Sequence, residues 1–232
     1  MDKRYVVITA DIIASKKQPE ETRRIKERLP INTFQDILAT DIEVLRGDEI
    51  QCVLEPLTAD TETQPSDSRH PVNIGRFIRH LRYHLLPLKA RVGIGIGGIS
   101  TLDSAGNPVS KNPFELNGGA FHEARNALDY VRKTHKKKPY THIIGEGVLA
   151  EDLAFINASL NLYDSILDGL TKSQFKKIMV YNEYGKLKEA AEKLNIGISS
   201  LQEAVANAGT KDLICFEQHL TAALTRLVLK RQ

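Results

Sequence analysis

At 232 residues the chain is long enough for one large domain or two small ones, taking roughly 150 residues per domain. Hydrophobic residues make up 41% and charged residues 26%, which excludes disordered and fibrous classes; a net charge of +3 is too small to mark a nucleic-acid binder by itself. Two distant cysteines, Cys52 and Cys215, provide neither a disulfide framework nor a cysteine zinc site. No stretch approaches the ~18 apolar residues of a membrane span, and Asp11 interrupts the first apolar run too early for a signal segment, so the sequence reads as cytoplasmic.

Residues 5–10 are short, β-branched and almost continuously apolar, the pattern of a strand buried on both faces, and they run into Asp11. Residues 19–29 are helix formers with Pro19 near the first turn and Glu20 and Glu21 where a helix N-terminus favours negative charge. Two β-prone runs, 41–45 and 50–54, flank Arg46-Gly47-Asp48-Glu49, which predicts a hairpin with acids at its tip. Residues 58–70 read as a loop, and Pro71 opens a helix over 72–86 with Ile74, Phe77, Ile78, Leu81 and Leu85 on one face. A strand over 90–96, a loop over 97–117, a helix over 120–132 and a strand over 140–144 follow. The first six elements give βαββαβ order, a ferredoxin-like split βαβ unit over residues 1–148.

From 149 to 232 only helices are expected, over 151–167, 173–181, 186–194, 200–208 and 212–230. The third and fourth have helix-turn-helix lengths. Asn195 and Gly197 suit positive φ at their turn, Ala191 is small where the helices cross, and Ser200 with Glu203 forms a capping box. The fold class is therefore α+β: a ferredoxin-like domain followed by an all-α helix-turn-helix domain. The second helix of that pair offers Gln202 and Asn207 but no basic residue, so phosphate contacts to DNA would fall to Lys186, Lys188, Lys193 and Lys211. A helix-turn-helix serving a protein interface is the competing reading.

In a split βαβ unit the end of the first strand and the hairpin tip share one edge of the sheet, which brings Asp11 beside Asp48 and Glu49. Crowded carboxylates repel one another, and Mg²⁺ relieves that repulsion by taking one or two carboxylates plus substrate phosphates. The plainer alternative is that Asp48 and Glu49 decorate a turn while Asp11 caps the next segment. Gly93-Ile-Gly-Ile-Gly-Gly98 satisfies GxGxxG, yet no helix follows at once, so it reads as a strand that another backbone or a ligand approaches closely. His80 and His84 have i, i+4 spacing without a third metal ligand, and His122 and Glu123 lie beside Arg125 on an expected helix.

Ala10-Asp11-Ile12-Ile13-Ala14-Ser15 resembles the first metal motif of class III nucleotidyl cyclases, and Arg46-Gly47-Asp48-Glu49-Ile50 resembles their second metal motif and the loop of GGDEF diguanylate cyclases. More closely, these blocks together with Arg91-Val-Gly-Ile-Gly-Ile-Gly97 and Asn117-Gly-Gly-Ala-Phe-His-Glu-Ala-Arg-Asn-Ala-Leu128 are similar to the SatD family. The resemblance implies a palm-type nucleotidyl cyclase-like domain with a helix-turn-helix appended. It implies metal ligation by Asp11 and Asp48, with the Ile12 carbonyl assisting and a close turn at Gly47; Glu49 joins that metal set on the topology alone, and Lys16 and Lys17, just past the first motif, are placed to meet phosphates or else are plain solvated charge. Arg125 would stabilise charge on a transferring phosphoryl group. Val44 and Phe121 stand where cyclases carry the lysine that reads adenine and an asparagine, so base and product stay unassigned. The expected ligands are a nucleoside triphosphate or other nucleotide with Mg²⁺, in a homodimer without membrane association. Nucleotidyl cyclisation or transfer is one reading, and a DNA-binding regulator with an inactive palm domain used for dimerisation is the other.

Overall fold

The first apolar run forms β1 (Arg4–Ile12), the middle strand of a five-stranded sheet, in a computed structural model that describes residues 3–29, 33–57 and 72–229. The strand continues through Asp11, where the sequence pattern ends it, because Asp11 still pairs on both sides, with Glu49 and with Arg91. The hairpin strands are β2 (Glu43–Leu45) and β3 (Glu49–Leu57). With β4 (Ala90–Gly97) and β5 (Thr141–Gly145) the order is β2-β3-β1-β4-β5. β1 runs antiparallel to both neighbours, β2 antiparallel to β3, and β5 parallel to β4. Between β1 and β2 the expected single helix is two short turns, α1 (Pro19–Arg23) and α2 (Ile25–Arg28), broken at Arg24. The loop over 58–70, Pro71 and the last residue of the final expected helix, Lys230, lie outside the described residues.

Each face of the sheet is covered by a different helix. Val6, Ile8, Ala10 and Ile12 point to one side and pack with Ile74, Phe77, Ile78, Leu81 and Leu85 of α3 (Ile74–Leu85), whose N-cap is Asn73 accepting from the Arg76 N–H. Tyr5 and Val7 point to the other and meet Ala120 and Ala124 of α4 (Gly119–Thr134). This helix lies directly on the glycines of β4. A Cβ on Gly95 would stand 1.9 Å from the Ala120 carbonyl oxygen, and one on Gly93 2.3 Å from that of Ala124. The glycine pattern thus receives a neighbouring helix backbone, one of the two occupants expected for it.

Helices α5 (Ala150–Gly169), α6 (Lys172–Tyr184), α7 (Leu187–Leu194), α8 (Ile198–Asn207) and α9 (Thr210–Leu229) follow. Residue 148 falls between β5 and α5, but α5, α6 and α9 share one hydrophobic cluster with α3 and the sheet. Ala190, Ala191, Leu201 and Val205 of α7 and α8 form a small cluster of their own against Val180, Tyr181 and Tyr184. Buried ion pairs cross the same junction. Arg79 donates to both Glu217 oxygens, at 2.6 and 3.0 Å, and the Tyr163 hydroxyl donates to Glu217 at 2.7 Å. Arg82 pairs with Asp164 and donates to Thr141 and the Ala90 carbonyl. α5 also covers the free edge of β5: Asn157 bonds both the N–H and the C=O of Ile143, at 2.8 and 3.0 Å, and Asp164 accepts from the Thr141 N–H. An open strand edge is a template for unwanted pairing, and these two side chains, seven residues apart, close it.

The capping box assigned to Ser200 and Glu203 does not open a helix, because α8 begins two residues earlier, at Ile198, with Gly197 as its N-cap. A capping box forms instead at Thr171 and Gln174, opening α6. Among the described residues, no helix is long and apolar enough to cross a membrane.

Candidate functional site: an acid and arginine lip

Chain direction alone brings the acids together. β1 and β3 pair antiparallel with Asp11 opposite Glu49, and the Ile12 N–H donates to the Asp48 carbonyl at 3.0 Å, closing the hairpin tip onto the end of β1. The tip is tight: Arg46 and Gly47 both have positive φ, +52° and +83°, and the Asp48 N–H reaches the Leu45 carbonyl at 3.3 Å. Consecutive positive φ values are those of hairpin turns that match strand twist, and Gly47 meets that requirement without a Cβ penalty.

Each carboxylate at this lip has its own partner. Arg91, at the start of β4, donates to both oxygens of Asp11 at 3.0 and 2.8 Å, and Arg132 of α4 reaches the second oxygen at 3.1 Å. Arg125, two helical turns before Arg132, grips Glu49 with both terminal nitrogens. Asp129 lies between them on α4 and accepts from Arg132 at 3.0 Å. Asp48 accepts from the Ser15 hydroxyl at 2.9 Å. Burial opposes the charge on Arg132, but its ion pairs with Asp11 and Asp129 together outweigh that and hold the guanidinium above its ordinary pKa. Lys16 is exposed on the short turn after β1, and Ile12 buries its side chain on the opposite face. His122 is exposed, and Glu123 accepts from Asn126.

The structure therefore brings Asp11, Asp48, Glu49, Gly47 and Arg125 to one lip and adds two residues to which the sequence motifs give no role, Arg91 and Arg132. The signal for Arg132 is its spacing seven residues after Arg125, which puts both on one helix stripe. Arg91 has no local signal, since only the β1–β4 register sets it opposite Asp11. Both Asp11 oxygens and both Glu49 oxygens are taken by guanidinium groups. Among the described residues, no group of three or more His, Cys, Asp or Glu gathers closely enough to hold a metal ion. This donor set does not fit Mg²⁺ as a preformed site; it is a set of charge-assisted bidentate pairs, the geometry with which arginine also binds phosphate.

The model of the SatD family matches residues 5–224. Among solved structures, the chain is similar to the crystal structure of a regulator of polyketide synthase expression from Bifidobacterium adolescentis. That likeness has 12% identity, covers 97% of this chain and 81% of the other, and has a TM-score of 0.23, too low to carry an argument about fold or role. No curated protein matches the chain.

Proposed function

The chain belongs to the SatD family, and from that premise we propose that it is a nucleotide-responsive regulator whose acid and arginine lip receives nucleotide phosphates. The observation that carries this reading is the alignment of Arg91, Arg125 and Arg132 along the lip formed by Asp11 and Glu49. The three cations are unequally committed. The Arg91 side chain is 16% exposed and locked to Asp11, whereas the Arg125 side chain is 43% exposed and, among the described residues, held at Glu49. An ion pair at the solvent edge is worth about 0–1 kcal/mol, so a phosphate replaces Glu49 as the partner of Arg125 at little cost. Arg91 and Arg132 act as the frame that keeps the lip in shape.

The strand order, with β3 between the parallel pair β1 and β2, supports a palm-type reading of the sheet. Mg²⁺ belongs to the proposal only alongside the ligand, because a carboxylate or two plus phosphate oxygens is its usual complement. Nucleotidyl cyclisation or transfer would need both.

The test is calorimetric titration of a nucleoside mono-, di- and triphosphate panel, with and without Mg²⁺, against the wild type and Arg125→Ala. Saturable heat with at least one nucleotide, weakened about tenfold or more by the substitution, is the expected result. Absence of heat across the whole panel removes the reading.

A second reading is favoured by the geometry of α7 and α8. Asn195 ends α7 at φ +53°, Ala190 and Ala191 pack against Leu201 and Val205, and Lys186, Lys188 and Lys193 flank the pair, as in a helix-turn-helix. In this reading the helix pair binds DNA and the sheet serves as its scaffold. DNA binding that weakens steeply with salt supports it, and the absence of binding at low salt excludes it.

A further inference from the structure

Helix α5 is apolar on two sides. Its inner side, with Leu153, Ile156, Leu160, Tyr163 and Leu167, is buried in the core. Its outer side carries Phe155, Leu162 and Ile166, which are 82%, 70% and 49% exposed. Spacings of seven and four residues set these three within one narrow stripe along the helix. Between Asp152 and Asp168 the outward positions are Ala154, Phe155, Ala158, Ser159, Asn161, Leu162, Ser165 and Ile166, without a single charge over about four turns. The Ser159 hydroxyl donates to the Phe155 carbonyl at 2.9 Å, which satisfies it within the helix. A soluble helix that is apolar all round is ordinarily covered on both sides, and loss of charge from the centre of a patch is the compositional mark of an interface.

We infer that this face binds the same face of a second copy of the chain, with the two α5 helices antiparallel about a two-fold axis near residues 160 and 161. The occupant is identified by self-complementarity. In that register Phe155 lies opposite Ile166 of the second copy, and the bulky Leu162 lies opposite the small Ser159 and Ala158, so large side chains meet small ones twice over. Charge matches as well. The acidic first turn of α5, with Glu151 exposed, comes to the far end of the other copy, where the exposed Lys172 opens α6. An isologous contact needs a self-complementary patch, and this one is acidic at one end, carries Lys89 and Lys172 beside the single acid Asp168 at the other, and is apolar between. The inference is independent of the nucleotide reading, because α5 is set on β5 and not at the acid and arginine lip.

Sedimentation equilibrium of the full chain tests it. The wild type is expected to be a dimer at tens of micromolar, and Leu162→Glu is expected to raise the dissociation constant tenfold or more, since it places like charges in an apolar contact. At 70% exposure Leu162 is not a core residue, so far-UV circular dichroism of that variant should match the wild type. Glu151→Lys is expected to weaken the dimer, and Glu151→Lys combined with Lys172→Glu to restore it. A monomeric wild type, or a dimer indifferent to Leu162→Glu, overturns the proposal; so does a double reversal that fails to recover what the single one lost.

Discussion

The contact of α4 with β4 shows what one missing methyl group decides. At Gly95 the space a Cβ would take is filled by the carbonyl oxygen of Ala120 and the backbone nitrogen of Ala124, 1.9 and 2.3 Å from it. Neither atom belongs to a flexible side chain, so the whole helix would have to move. Gly95→Ala is expected to destabilise the fold by about 3 kcal/mol or more, read as a lower denaturation midpoint in urea. Gly169 is the control. It closes α5 with nothing within 4 Å of where a Cβ would stand, and Gly169→Ala is expected to be neutral or stabilising by up to about 1 kcal/mol. The same scale governs the lip. That the chain brings Asp11, Asp48 and Glu49 to one edge of the sheet was legible from chain order, because a hairpin returning beside the first strand has few places to put its tip. That Asp11 faces Arg91 was not, since it depends on how β4 is registered against β1.

Among the elements, α5 and α9 do most to join the helical tail to the sheet. Glu217 of α9 is the shared acceptor of Arg79 from α3 and Tyr163 from α5, all three buried. Burial and the neighbouring Glu217 push the Tyr163 phenol well above its ordinary pKa, so it stays a donor. Glu217→Ala leaves a buried guanidinium without its carboxylate and is expected to cost about 3–5 kcal/mol. Replacing both partners, Arg79→Met with Glu217→Leu, removes the orphaned charge and is expected to recover most of that loss, as measured by chemical denaturation. Helix positions in the tail were legible from apolar periodicity, but the docking was not. Asn157 and Asp164 look like ordinary polar helix residues, and only their bonds to Ile143 and Thr141 show that they close a strand edge.

For the molecule as a whole, two histidines make stability depend on pH. His80 is buried against Phe34, with its Nδ1 unbonded, and burial followed by the nearby Arg79, Arg76 and His84 lowers its pKa to about 2. Burial, then His135, lowers that of His142, stacked on Tyr130, to about 4. Both are neutral in the fold at about pH 5, whereas in the unfolded chain each takes up a proton near pH ~6.5. The unfolded state therefore binds more protons, and stability falls as pH drops below about 6.5. The share from His142 is exhausted near pH 4, and that from His80 continues towards pH 2. Denaturation midpoints are expected to fall as the pH is lowered from about 7 to about 4, and less steeply in His80→Leu.

The sequence by itself determined the α+β class, the order of strands and helices, the hairpin with acids at its tip and the family. Each of these is carried by local periodicity, turn chemistry or short motifs. Tertiary structure alone decided that arginines hold those acids, that α5 seals β5 and that the tail shares the core of the sheet. Those outcomes depend on register and on which faces meet, and residues far apart in the chain carry no mutual signal until the fold sets them side by side.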